Sequence, residues 1–140
     1  MLPLQLGDIW VAVDPTLVQE MLGSRTWVRV PGAAPQLPGV ISWRSRAIAV
    51  LELGDMLGVG ARSSSAAART VVARVTDCTF AFFVDSAREV RTIDASALEP
   101  PHAVSGRFVT QQLSLDNQVM PLIDLAAVIE AVSRSTGGVA

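Results

Sequence analysis

Pro38 to Gly58, PGVISWRSRAIAVLELGDMLG, is the stretch whose reading decides the fold. Pro38-Gly39 makes an opening turn, Val40-Ile41-Ser42-Trp43 an apolar run, Arg44-Ser45-Arg46 a polar turn, and Ala47 to Leu51 a second apolar run. Glu52 follows, and a short amphipathic segment stops at Gly58. Strand, tight turn, strand, acidic cap and helical turn form one coherent unit.

The same plan returns in Gln111 to Ile129, QQLSLDNQVMPLIDLAAVI, at an offset of 72 residues. Leu113 matches Ile41 and Ser114 matches Ser42, while Asp116-Asn117 falls on Arg44-Ser45 and Leu122-Ile123-Asp124-Leu125 on Val50-Leu51-Glu52-Leu53. Identities are few, but turn, acid and apolar positions agree, which predicts two similarly built halves. Two copies are too few for a solenoid.

Outward from these units, Leu2 to Val13 reads as a hairpin turning at Gly7-Asp8, and Asp14-Pro15 breaks it. Leu17 to Leu22 resumes an apolar pattern around Glu20, Gly23-Ser24 breaks again, and Trp27 to Val30 alternates like a strand edge. Residues 31–38 form a proline-rich surface loop. The small residues of 61–68 divide the chain near its middle, with no apolar face to make their alanines a buried helix.

Thr70 to Val75 and Thr79 to Val84 are strands joined at Thr76-Asp77, and in the mixed stretch after them Val90 and Ile93 are expected in the core. Leu98 to Pro101 is an extended connector. Phe108 to Leu115 and Gln118 to Leu122 form the second hairpin. Leu125, Val128, Ile129 and Val132 then fall on one helical face, with Asp124 as N-cap and Gly137-Gly138 as the stop. Nine or ten short strands predict paired small barrels or a sandwich with one terminal helix.

The 140 residues fit one domain, half of them hydrophobic and 17% charged. No apolar run approaches the ~18 residues of a membrane span, and no secretory signal opens the chain. A single cysteine allows no internal disulfide, which fits a reducing, cytoplasmic compartment. The net charge of −2 with scattered arginines gives no nucleic-acid footprint. All 11 basic residues are arginine, so a lysine-dependent phosphate loop, Schiff base or Ser-Lys dyad is excluded.

Candidate chemistry is sparse. His102 follows two prolines in a loop without a companion nucleophile, and Cys78 reads as a structural thiol. Asp85 reads as a cap of the following turn, and the matched Glu52 and Asp124 read as caps rather than an acid/base pair. No phosphate cradle, metal cluster or nucleophile motif emerges, so no catalytic, cofactor or metal residues are assigned. The weight moves from enzyme to binding module.

A family resemblance then enters. Val18-Gln19-Glu20, Pro38 to Arg44, Ile48 to Leu53, Phe83-Val84-Asp85-Ser86 with Val90, and Pro121 to Leu125 together resemble the CheW-like domain, in its order and spacing, from about Leu4 to Ile129. The resemblance implies a mainly β fold of two intertwined five-stranded SH3-like barrels with a C-terminal helix, in one domain spanning 1–140. It implies an adaptor joining the cytoplasmic domain of methyl-accepting chemoreceptors to the regulatory domain of a CheA-type histidine kinase, with other CheW-like domains as further partners, no nucleic acid and no membrane insertion. It also makes Val18, Glu20, Met21, Leu22, Trp43 and Arg44 the expected protein-binding residues, Glu20 and Arg44 by correspondence to family positions that support coupling.

Four departures matter: Ser42 for the family asparagine, Trp43 for leucine, Glu52 for the strand-end aspartate, and Ser45 for a glycine that supplies φ > 0. Trp43 is open to two readings, half core or hot-spot anchor. The alternatives are an accessory adaptor that has lost the kinase contact and, more remotely, a small nucleic-acid-binding β-barrel.

Overall fold

A computed structural model describes residues 1–23, 25–59, 68–101, 108–115 and 117–135. The first half carries β1 (Leu2–Leu6), β2 (Ile9–Val13), β3 (Val18–Leu22), β4 (Val28–Arg29), β5 (Gly39–Trp43), β6 (Arg46–Leu51) and the one-turn helix α1 (Leu53–Met56). The second carries β7 (Arg69–Val75), β8 (Cys78–Val84), β9 (Ser86–Ala87), β10 (Leu98–Glu99), β11 (Val109–Leu115), β12 (Gln118–Ile123) and α2 (Leu125–Ser135). The protein is mainly β, with two sheets and a C-terminal helix.

Sheet I runs β10-β11-β12-β2-β1-β9 and sheet II runs β4-β5-β6-β8-β7-β3. The chain begins in sheet I, leaves after β2, builds all of sheet II, and returns after β8. Sheet I is therefore closed by both ends of the chain. Each sheet has six strands where five are expected; the two-residue strands lie at the rims, β9 and β10 on the two edges of sheet I and β4 on one edge of sheet II.

The repeat holds residue for residue. Ile41 faces Ile48 and Ser42 faces Ala47 in one hairpin, and Leu113 faces Met120 and Ser114 faces Val119 in the other. Glu52 donates its N–H to the Gln36 carbonyl at 2.9 Å, and Asp124, 72 positions later, donates to the Phe108 carbonyl at 2.8 Å. The structure adds a second repeat, at an offset of 69, that identities do not disclose. Leu2 faces Val13 and Val71 faces Phe82, while the turns bend at Gly7 with φ 59° and Thr76 with φ 55°. Two parallel pairings join the hairpins, Val50 beside Ala81 in sheet II and Leu122 beside Ala12 in sheet I.

Strand alternation sends every second side chain to one shared core. Leu2, Leu4, Leu6, Val11 and Val13 from sheet I meet Val71, Ala73, Phe80, Phe82 and Val84 from sheet II, with Leu125, Val128 and Val132 of α2 among them. The intervening residues make two smaller clusters, Ile41-Trp43-Ile48-Val50-Val72-Ala81 and Ala12-Leu113-Met120. Each fully buried Val, Leu or Phe contributes about 1.5–3 kcal/mol. A left-handed residue costs roughly 1–2 kcal/mol. The core therefore holds register against the turn between β5 and β6, where Arg44 and Ser45 have φ 49° and 62°.

Several expectations change. Asp124 caps α2 by accepting from the Ala127 N–H at 3.1 Å, but the Glu52 side chain makes no capping bond to α1. Glutamate is one methylene longer than the preferred capping residues. Val90 is 58% exposed, because β9 ends at Ala87, whereas Ile93 does pack against the Ala12-Leu113-Met120 cluster. Leu98–Glu99 is a strand paired with β11 rather than a connector. Ser24, most of the 61–68 division, His102, Asp116 and Gly137-Gly138 lie outside the described residues; the strands flanking that division, β6 and β7, share sheet II.

Two substitutions test these backbone constraints by denaturant titration. Ser45→Gly is expected to stabilise the protein by about 1 kcal/mol, since glycine relieves the left-handed strain. Gly39→Ala is expected to destabilise it by about 3 kcal/mol, because a Cβ there would run into the Val28 carbonyl oxygen and the Trp27 ring.

Candidate protein-docking site

The tight turn after β5 places Trp43 and Arg44 side by side, and β3 supplies their partner. Along β3, Val18 faces Ala73 but Glu20 already faces Val72, so Gln19 is an extra residue in a β-bulge. A bulge reverses which face the following residues take. Without it Glu20 would share the shared-core face with Val18. With it, Glu20 turns to the Trp43 side.

There the Trp43 indole N–H donates to Glu20 Oε1 at 2.9 Å. Arg44 Nη2 lies 3.4 Å from the same oxygen, and the guanidinium carbon sits 4.6 Å from the centroid of the Trp43 ring. Trp43 is buried, 8% exposed, within the Ile41-Ile48-Val50-Val72-Ala81 cluster. The side chains of Arg44 and Glu20 are 66% and 39% exposed. A hydrogen bond to a charged group contributes about 1.5–3 kcal/mol, an exposed ion pair about 0–1 and an exposed Arg–Trp stack about 0.5–1. The indole–carboxylate bond is thus the strongest of the three contacts.

Of the six expected binding residues, the structure brings Glu20, Trp43 and Arg44 together. Leu22 packs against the same small cluster as Trp43. Val18 and Met21 pack against the shared core on the opposite face of β3, so they do not form one apolar patch with Glu20. Trp43 resolves to a core ring whose edge and face serve the two charged neighbours. Among the described residues the large hydrophobics that are exposed lie elsewhere, at Ile9, Val28, Val30, Val90 and Val119.

Among the described residues this cluster is built once. In sheet I, Ala87 faces Leu4 as Val18 faces Ala73, which makes Glu89 the counterpart of Glu20. By sequence, Leu115 and Asp116 stand where Trp43 and Arg44 do, and neither residue type can make this pairing.

Sequence reading missed a cleft of about 710 Å3 between the proline-rich loop, α1 and the tip of the first hairpin, lined by Leu6, Arg29, Pro31, Glu52, Leu53 and Asp85 among others. Asp85 is buried and accepts from the Gly7 N–H at 2.6 Å, fastening that tip to the crossover after β8. Its position at a strand end was the available signal; its partner, 78 residues away, was not.

Among the described residues no group of His, Cys, Asp or Glu could hold a metal ion, and no helix is long and apolar enough to cross a membrane. Cys78 opens β8 at an exposed turn, and partial desolvation pushes its thiol above the ordinary value. The raised value keeps the thiol protonated at neutral pH, and the thiolate forms only as pH climbs. Alkylation by iodoacetamide at pH 7 is expected to run slower than for free cysteine and to accelerate with rising pH; a faster neutral rate would contradict this.

Comparison with known proteins agrees with this architecture. The probable chemotaxis protein CheW of Rhizobium etli is 24% identical over 127 residues, covering 88% of this chain and 82% of that one. The chemotaxis protein CheW of Bacillus subtilis is 26% identical over 129 residues, covering 89% and 83%. The crystal structure of the scaffolding protein TtCheW from Thermoanaerobacter tengcongensis superposes with a TM-score of 0.79 at 24% identity, covering 87% of this chain and 86% of that one, and so shares its fold. The CheW-like domain model matches residues 1–133, and the chain belongs to the CheW-like domain family.

Proposed function

We propose that this protein is a non-catalytic adaptor of a chemosensory pathway, coupling chemoreceptor cytoplasmic tips to the regulatory domain of a CheA-type histidine kinase in the cytoplasm. Family membership and relatives named as chemotaxis proteins support the adaptor role. The observation that carries the choice of site is the Glu20–Trp43–Arg44 cluster, present in sheet II and without a counterpart by sequence in sheet I.

The physical argument concerns what the cluster contributes. Its Arg44–Glu20 ion pair, being exposed, adds only about 0–1 kcal/mol to stability. Yet the chain commits a β-bulge, a left-handed turn and a buried tryptophan to it. Such an arrangement fixes charge positions at a surface, and fixed charges set the orientation of a docked partner.

The test is quantitative binding of the full chain to a receptor tip hairpin and to a kinase regulatory domain. Glu20→Ala and Arg44→Ala are expected to remain folded, with at least one weakening a partner more than ~tenfold, or ~1.4 kcal/mol. No loss for either partner would discard the site. Receptor binding without any kinase recovery would leave an accessory adaptor.

A further inference from the structure

We propose that Trp43 is a positioning residue of the docking site: it holds the Glu20 carboxylate by its indole N–H and the Arg44 guanidinium by its ring face, so that the two charges act as one unit. The inference rests on the docking reading above and assigns it a determinant that the ion pair alone does not supply.

The fold does not require tryptophan at this place. By sequence, the corresponding position of the other hairpin is Leu115, so a leucine serves the same register. What a tryptophan adds is one buried N–H and a wide ring face. A buried indole N–H needs an acceptor. Here that acceptor is the Glu20 Oε1 at 2.9 Å, on a strand not paired with β5.

The ring face lies 4.6 Å from the Arg44 guanidinium carbon, which places the cation against a surface fixed by the core. Left to themselves, two long side chains paired at 3.4 Å and exposed by 39% and 66% would sample many rotamers. Anchoring both to one buried ring removes that freedom before a partner arrives, which is how preorganisation raises affinity.

A double-mutant cycle tests this with the full chain and the same two probes. Trp43→Leu and Arg44→Ala are each expected to weaken binding roughly tenfold, and the double variant to bind no worse than either. Trp43→Phe, which keeps a ring and loses the N–H, should fall between wild type and Trp43→Leu. Additive losses would overturn the proposal, since independent contacts add. Thermal melts verify that each variant is folded.

A partner-free measurement accompanies the cycle. In nitrogen-labelled protein the Arg44 side-chain N–H signal should carry a ring-current shift in wild type and lose it in Trp43→Leu, and the Trp43 indole signal should move in Glu20→Gln. Unchanged signals would overturn the positioning role whatever binds. Intact signals in a wild type that binds neither probe would sink the docking reading and leave the positioning role standing.

Discussion

Val50 beside Ala81 and Leu122 beside Ala12 are the seams on which the molecule depends. Parallel neighbours cannot be joined by a tight turn. Each seam therefore binds a hairpin to one that lies elsewhere in the sequence, and the small residues Ala12 and Ala81, both fully buried, sit at the seams within the two smaller clusters. In sheet I the seam joins the start of the chain to its end. The shared core then depends on both sheets, since Leu4, Val11, Phe80, Phe82 and Leu125 bury one another.

This arrangement sets the docking cluster in rigid surroundings. Trp43 belongs to the small core of sheet II, whose floor includes Val72 and Ala81 on the strands that also face the shared core. The geometry of Glu20 and Arg44 is thus tied to packing through strand alternation, although both side chains reach solvent. A change in the bulge at Gln19 would rotate Glu20 away from Trp43 and Arg44 without altering any of those three residues.

The hairpins were legible because period-two alternation and turn residues are local signals, and the 72-residue echo came from the same signals. The 69-residue echo was hidden, since Leu2-Leu4-Leu6 and Val71-Ala73-Val75 share burial but no residue type. The face that Glu20 takes could not be read from alternation, because a bulge has no compositional mark at Gln19. Asp85 and Gly7 meet across the fold, and nothing near either residue announces the other. Val90 misled because apolar character was taken for burial where β9 had already ended. The acids Glu52 and Asp124 share a backbone role, each receiving the bond of a helical N–H on its carbonyl, but only the shorter side chain also reaches the first turn.

The return of the chain to sheet I has a consequence for the order in which the protein is made. Chains emerge from the ribosome with the N-terminus first. Sheet II has all its strands once Val84 has left the exit tunnel, whereas β2 waits for β12, the last of the described strands. Throughout that interval the newborn β1–β2 hairpin presents Leu2, Leu4, Leu6, Val11 and Val13 with no C-terminal strands or α2 to complete their enclosure. Packing against the finished sheet II is the early shelter open to it, so the interlaced topology shields β1 and β2 while β11, β12 and α2 are still being synthesised.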